Sequence, residues 1–349
     1  MSTPGNNLVL LTGATGLVGG HMLVRLFKSG KNVRCLIRSS SSLEQLKLIC
    51  TFYNQPFEDL NNAVEWVQGD TLDFIGLCSI MKQVTEVYHC AAMVSFRSKN
   101  RVELFQTNVQ GTSNMVDAAL MEGVGKFCFV SSIAALGSTP DQTPVMEDTP
   151  RKNEEKTSAY SESKFRTELE VWRAISEGLN AVIVNPGVIL GPGNPDAGSL
   201  LLFQVGRKGM PFFTRATTGY VDVRDVCDIS IELMERGLFQ KRYVLISENA
   251  HNGTVFGLIG KEFGKNAPRI QAGKALLCIG VLFSAIAGRF TGKPSQLTLD
   301  TIKSAQNPQV YSNERIHKTL DYSFIPLQQT IRETSDFLKK TDSKKQKKG

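Results

Sequence analysis

Short apolar runs alternate with longer amphipathic stretches over the first half of the chain. Leu8–Thr12, Asn32–Ile37, Val64–Gln68, Glu86–Cys90, Lys126–Ser131 and Asn180–Asn185 are five or six residues each and carry branched or aromatic side chains. Runs of this length between polar or glycine boundaries predict strands buried on both faces. Leu17–Ser29, Val102–Glu122 and Ser158–Gly178 instead space their apolar residues as helices do. The repeat of strand, helix and strand predicts an α/β fold, a doubly wound parallel sheet with helices on both faces. Ligands of such sheets bind beyond the carboxyl ends of the strands.

The rhythm changes after Pro186. Pro186-Gly187, Gly191-Pro192-Gly193 and Asn194-Pro195 are turn punctuation, and short elements follow, Tyr243–Ile246 among them. The expected organisation is a nucleotide-binding domain over 1–185, a smaller mixed lobe over 186–338 that covers the cleft, and a basic flexible tail over 339–349. Tyr220–Val223 and the helix 224–236 are expected to return to the first domain.

Charge changes this picture little. The 349 residues carry a net +7, but six lysines against Asp342 put +5 of it into residues 339–349. The body is nearly neutral, so no nucleic-acid partner is expected, and the tail reads as a solvated end. The seven cysteines are scattered without metal-ligand or redox spacing, and Cys35, Cys90 and Cys128 read as small core hydrophobes of a reducing, cytoplasmic setting. No metal site is expected, and none of His21, His89, His251 and His317 has a metal-spaced partner. No basic-then-apolar signal segment precedes the first strand. The uncharged run from Ala275 to Ala287 is shorter than the ~20 residues that span a bilayer, which leaves a packed helix or a peripheral membrane contact.

The first strand runs directly into Gly13, Gly16 and Gly19, with Thr15, Leu17 and Val18 between and beside them. Glycines there allow a tight turn, close backbone approach and helix-on-strand packing, and the helix N-terminus then faces a pyrophosphate. The second strand ends at Arg38, where an acidic residue would accept from the ribose 2′-hydroxyl of NAD. A guanidinium followed by Ser39–Ser42 suits a 2′-phosphate, so NADP(H) is the expected cofactor. Arg34 lies on the same strand face as Arg38 and either assists or packs.

The Gly-x-x-Gly-x-x-Gly spacing resembles the extended branch of the short-chain dehydrogenase/reductase superfamily, with its Rossmann-type fold. The resemblance continues in order through Gly69-Asp70, His89-Cys90-Ala91-Ala92, Asn108-Val109-Gln110-Gly111-Thr112, Ser131-Ser132, Tyr160-Ser161-Glu162-Ser163-Lys164, Asn185-Pro186-Gly187 and Tyr220–Asp225. Asn185 departs from it, since many sugar-nucleotide members carry Arg there. The resemblance implies that Asp70, Ala91, Ala92, Pro186 and Val188 contact the cofactor. It implies that Tyr160 exchanges the proton of a carbonyl/alcohol couple, that Lys164 also holds the nicotinamide ribose, and that Ser132 places the substrate oxygen. Asn108 is implied to hold a proton-relay water, or else only bonds backbone. A homodimer through two helices is also implied.

Tyr160 and Lys164 are four residues apart, on one helix face. A phenol with a pKa of about 10 is a weak acid-base at neutral pH. An ammonium ~5 Å away contributes roughly 3 kcal/mol toward phenolate at an effective dielectric of ~20. Burial opposes this, so the charge is expected to dominate. Met93, Val94, Ser95 and Phe96 at a strand end, with Met210–Phe213 in the second lobe, either line an apolar substrate pocket or form inter-lobe core. Arg207, Lys208 and Arg215 leave a diphosphate substrate open. The expected function is an NADP(H)-dependent oxidoreductase acting on a partly hydrophobic small-molecule ketone, aldehyde or alcohol, most similar to the dihydroflavonol-reductase-like and 3β-hydroxysteroid-dehydrogenase-like group. The alternatives are a nucleotide-sugar epimerase or dehydratase with retained NAD, and a non-catalytic NADP(H)-binding regulatory or assembly protein.

Overall fold

The computed structural model describes residues 7–95, 100–139, 143–151, 157–209, 211–214, 216–273 and 308–346. The first half contains β1 (Leu8–Thr12), α1 (Leu17–Lys28), β2 (Asn32–Ile37), α2 (Glu44–Phe52), α3 (Phe57–Ala63), β3 (Glu65–Gln68), α4 (Phe74–Met81), β4 (Val84–His89), α5 (Arg101–Phe105), α6 (Gly111–Met121) and β5 (Lys126–Val130). Then come α7 (Ala159–Ser176), β6 (Ala181–Pro186), β7 (Val188–Leu190), α8 (Leu201–Lys208), β8 (Phe212–Phe213), β9 (Thr217–Asp222), α9 (Val223–Glu235), β10 (Lys241–Leu245), β11 (Glu248–His251), α10 (Asn252–Glu262), β12 (Ile270–Gln271), α11 (Glu314–Leu320) and α12 (Leu327–Gln346).

Seven parallel strands form the main sheet in the order β10-β6-β5-β4-β1-β2-β3. Alternation along each strand feeds two cores. Val9, Leu11, Cys128, Val130, Val182 and Val184 pack on one face with α1 and α9. Leu8, Leu10, Phe127, Phe129, Ala181 and Ile183 pack on the other with α4, α6 and α7. The order reverses between β1 and β4, which opens a crevice at their carboxyl ends.

Two strands lie elsewhere than the pattern placed them. Tyr220–Asp222 does not rejoin the large sheet; β9 pairs with β7 and β11 in a separate three-stranded sheet, while α9 does pack beneath the large sheet. The seventh strand is β10, read from sequence as an isolated strand of the small lobe. Its Tyr243, Val244 and Leu245 are buried, as the flank of a parallel sheet requires. The chain crosses between the sheets at Gly187, where a Cβ would lie 2.3 Å from the Gly219 carbonyl oxygen.

The basic segment is also more ordered than a frayed end. α12 runs to Gln346, with Phe337 and Leu338 buried, Lys339 3.7 Å from Glu262, and Asp342 paired with Arg207. The run Ala275–Ala287 lies outside the described residues, as do Phe96, Met210 and Arg215. Among the described residues no helix is long and apolar enough to cross a membrane.

Candidate active site

The turn after β1 is built by contact. Gly13 has φ +77°, and a Cβ there would lie 2.8 Å from the Ala91 nitrogen at the end of β4. At Gly19 a Cβ would lie 2.1 Å from the Gly13 carbonyl oxygen. The absent side chains let α1 begin directly against the turn, with Gly16 at its N-cap and no side chain satisfying its first amides. Those amides, at the crevice, suit an anionic diphosphate. Thr15, Leu17 and Val18 are part-exposed around them, and Leu17 also underlies Gly193 of the loop after β7.

His89, uninformative in sequence, ties this floor together. Its ring is fully enclosed, with Nδ1 2.7 Å from Thr12 Oγ1 and Nε2 2.9 Å from Thr112 Oγ1. Thr12 Oγ1 also accepts from the Ala91 amide at 3.1 Å. Burial, aided by the Lys164 charge, lowers the His89 pKa to about 3, so it stays neutral. His21 is likewise buried and neutral, bridging Tyr53 Oη and the Pro192 carbonyl at 2.8 Å each. Ala92 is exposed beside Ala91, Pro186 ends β6, and Val188 opens β7.

Around the adenosine end, Arg38 is exposed at the tip of β2, in a turn closed by the Ser41 amide and hydroxyl. Arg34 packs rather than assists: it pairs with Glu65 at 3.0 Å and donates to the Ile80 and Lys82 carbonyls. Asp70 is exposed and accepts from the Leu72 amide.

Ser132, Tyr160 and Lys164 converge beyond β5. Ser132 caps a short 3₁₀ turn, its Oγ accepting from the Ala134 amide at 3.1 Å, and its hydroxyl bonds the Tyr160 phenol. Ser158 caps α7, and Ser161 donates to the Ala134 carbonyl at 2.7 Å, which fixes the start of that helix against the Ser132 turn. Lys164 is 2% exposed; its Nζ donates to the Val130 carbonyl at 3.0 Å and lies 4.9 Å over the Phe129 ring.

The electrostatics reverse one expectation. Burial raises the Tyr160 pKa above its ordinary value, opposed by the Ser132 hydrogen bond. Burial also lowers Lys164 to about 8, with Glu168 and Cys90 acting the other way. A buried ammonium gives up part of its charge near neutrality, so it acidifies its neighbour less than an exposed one. The proton therefore rests on Tyr160.

Asn108 sits in a π-helical turn, Gln106–Gln110, between α5 and α6. Its Oδ1 accepts from the Met93 amide at 2.8 Å, and its Nδ2 donates to the Met93 carbonyl at 3.0 Å and to Ser163 Oγ at 3.1 Å. The backbone-bonding alternative describes this side chain: it clamps the strand-end loop to α7. Truncation leaves buried partners unsatisfied, so Asn108→Ala is expected to cost about 2–4 kcal/mol of unfolding free energy. Urea denaturation checks this; a loss below about 0.5 kcal/mol contradicts the clamp.

Ser95 is buried and accepts from Asn100 Nδ2, while Val94 beside it is exposed. The Phe213 ring lies edge-on to His251 at 5.5 Å, within the small lobe. Sequence reading passed over Glu168 and Arg242, which meet at 2.8 Å behind the Ser131–Ser132 turn. The available signal was that Glu168 lies one turn beyond Lys164 on the inward face of α7. Among the described residues no group of His, Cys, Asp and Glu is arranged to hold a metal.

A glycine turn packed on a helix N-terminus, at the crevice of a doubly wound parallel sheet, defines a dinucleotide-binding fold. The model of the NAD dependent epimerase/dehydratase family matches residues 9–245, and the chain belongs to that family, in the extended short-chain dehydrogenase/reductase group. It is 31% identical over 261 residues to a Synechocystis sp. protein assigned as a dihydroflavonol 4-reductase, covering 71% of this chain and 72% of the relative. It is 26% identical over 338 residues to cinnamoyl-CoA reductase 1 of Oryza sativa subsp. japonica, covering 93% and 88%. The crystal structure of gox2253 superposes with a TM-score of 0.78 at 27% identity, covering 96% of this chain and 98% of that one.

Proposed function

We propose that the chain is an NADP(H)-dependent oxidoreductase that interconverts a carbonyl group and its alcohol on a partly hydrophobic substrate. The observation that carries this reading is the Ser132–Tyr160 hydrogen bond, with Lys164 one turn along α7, at the carboxyl edge of the sheet. The reductase relatives support it, and so does exposed Val94 in the loop after β4.

The cradle fits a dinucleotide, because the space a Cβ would take at Gly13 and Gly19 is already in use by backbone. Gly13, Thr15, Gly16, Leu17, Val18 and Gly19 would hold the diphosphate, Asp70 the adenine, and Ala91, Ala92, Pro186 and Val188 the nicotinamide side. When bound, the nicotinamide supplies or removes the hydride. Ser132 Oγ orients the substrate oxygen, and Tyr160 Oη gives that oxygen its proton. Lys164 steadies the phenol's charge as the proton leaves. A proton held on Tyr160 through neutral pH favours reduction; alcohol oxidation needs the phenolate and gains from alkaline pH.

Arg38 carries the cofactor choice, since its exposed guanidinium is free to fork onto a 2′-phosphate. A screen of ketones and aldehydes of graded polarity, following NADPH and NADH oxidation side by side, tests the reading. NADPH is expected to win, and Arg38→Asp to reverse the preference. No turnover on any carbonyl, with stoichiometric NAD retained in the purified protein, replaces this reading with a nucleotide-sugar epimerase or dehydratase. NADP(H) binding with no turnover at all replaces it with a regulatory or assembly role.

A further inference from the structure

Three consecutive residues at the end of β5 are held by one face of α7 and what it carries. Lys164 Nζ bonds the Val130 carbonyl. One turn along, Glu168 Oε1 accepts from Ser131 Oγ and from Asn185 Nδ2. That same Asn185 nitrogen donates to the Ser132 carbonyl at 3.0 Å. Glu168 is 1% exposed, and its other oxygen, Oε2, receives Arg242 Nη1 from β10 at 2.8 Å. The guanidinium is anchored in turn on the Glu147 carbonyl.

A carboxylate this deeply buried is costly unless donors and charge surround it. Here Arg242 pairs with it at 2.8 Å, and the carboxylate charge favours the protonated form of Lys164, one turn back on α7. The remaining titratable groups around Lys164 are Tyr160 on α7 and His89 and Cys90 at the end of β4. His89 and Tyr160 are neutral through the physiological range, and burial keeps the Cys90 thiol protonated. Glu168 is thus the anion that faces the ammonium.

We propose that Glu168 is a positioning residue of this site: it sets the Ser132 turn through Asn185, and, shared with Arg242, it is the carboxylate that supports the Lys164 ammonium against its burial. The turnover part rests on the oxidoreductase reading; the charge part does not.

The two variants therefore act with opposite sign. Glu168→Gln keeps the size and one acceptor but removes the anion, so Lys164 loses its proton at lower pH. Arg242→Gln removes the competing cation and leaves Glu168 to Lys164, so the proton is lost at higher pH. The readout is ¹³C NMR titration of [ε-¹³C]lysine-labelled, cofactor-free protein, with the Lys164 signal assigned by its loss in Lys164→Arg. From a native midpoint of about 8, a fall of at least ~0.5 in Glu168→Gln and a rise in Arg242→Gln are expected. Equal-signed shifts, or no shift in either variant, overturn the charge role. If Glu168→Gln does not fold, Arg242→Gln decides alone, and an unmoved or lowered midpoint overturns it.

For turnover, Glu168→Gln is expected to lose at least about twofold in kcat near pH 8, in step with the charge lost from Lys164, with KM for NADPH within about threefold. The deficit narrows as pH falls and Lys164 regains its proton. A deficit equal at every pH overturns the link between Glu168 charge and turnover. Native protein without turnover fails the oxidoreductase reading instead, and the titration still decides the charge role.

Discussion

Tyr160→Phe is expected to lose at least about 100-fold in turnover while binding NADPH as tightly as the native chain. The substitution deletes one oxygen from a ring that α7 already holds in place. Lys164 keeps its bond to Val130, and the glycine turn is untouched. What disappears is the hydroxyl that Ser132 bonds and the proton it carries. A positioned acid contributes typically 10²–10⁴-fold, so the loss belongs to kcat and not to cofactor affinity. Steady-state NADPH oxidation and a fluorescence titration of NADPH separate the two. A Phe variant that turns over at the native rate removes Tyr160 from the mechanism.

Gly19→Ala is expected to weaken NADPH binding by about 100-fold or more, where Gly16→Ala costs less than about tenfold. The two positions look alike in the sequence, and the structure separates them. An added Cβ at Gly19 meets the Gly13 carbonyl oxygen at 2.1 Å, and the Gly13 carbonyl carbon at 2.5 Å. Both are backbone, so relief requires α1 to tilt off the turn and carry its first amides away from the diphosphate. At Gly16 the nearest atom is the same oxygen at 3.2 Å, a contact that a few tenths of an ångström relieves. Titration of NADPH against both variants, with melting curves to confirm folding, checks the ranking. Binding within about threefold of native in Gly19→Ala contradicts the cradle.

The residues that read correctly from sequence are those whose chemistry is local. The glycine spacing, the alternating strands and the Tyr160–Lys164 turn each depend on a short window, and six of the seven large-sheet strands were legible to within about two residues. The seventh reads as a strand at Tyr243–Ile246, equally near its true bounds, but not as a member of the large sheet. Lys241–Leu245 has the composition of a strand, but nothing within it says which sheet it joins. The strand of Tyr220–Asp222 was misplaced for the same reason. Asn108 was visible as a polar residue in a helical stretch, whereas its bonds to Met93 and Ser163 come from two other parts of the chain. The sign of the Tyr160 shift depended on how deeply the phenol itself is buried, which no spacing reports. Arg242 lies 74 positions from Glu168, and no sequence pattern links them.

That late seventh strand bears on how the protein is made. β6 ends at Pro186 and its partner begins at Lys241, so 54 residues must be synthesised before the strand that covers β6 on that side begins. At about 5–20 residues per second, the nascent chain carries an open, apolar sheet margin for roughly 3–11 s. Such margins invite pairing with other chains, and a fragment stopped near residue 186 keeps the hazard permanently. A chain ending near residue 186 therefore leaves that margin open and Glu168 without its guanidinium, both of which residues 241–245 supply in the longer chain.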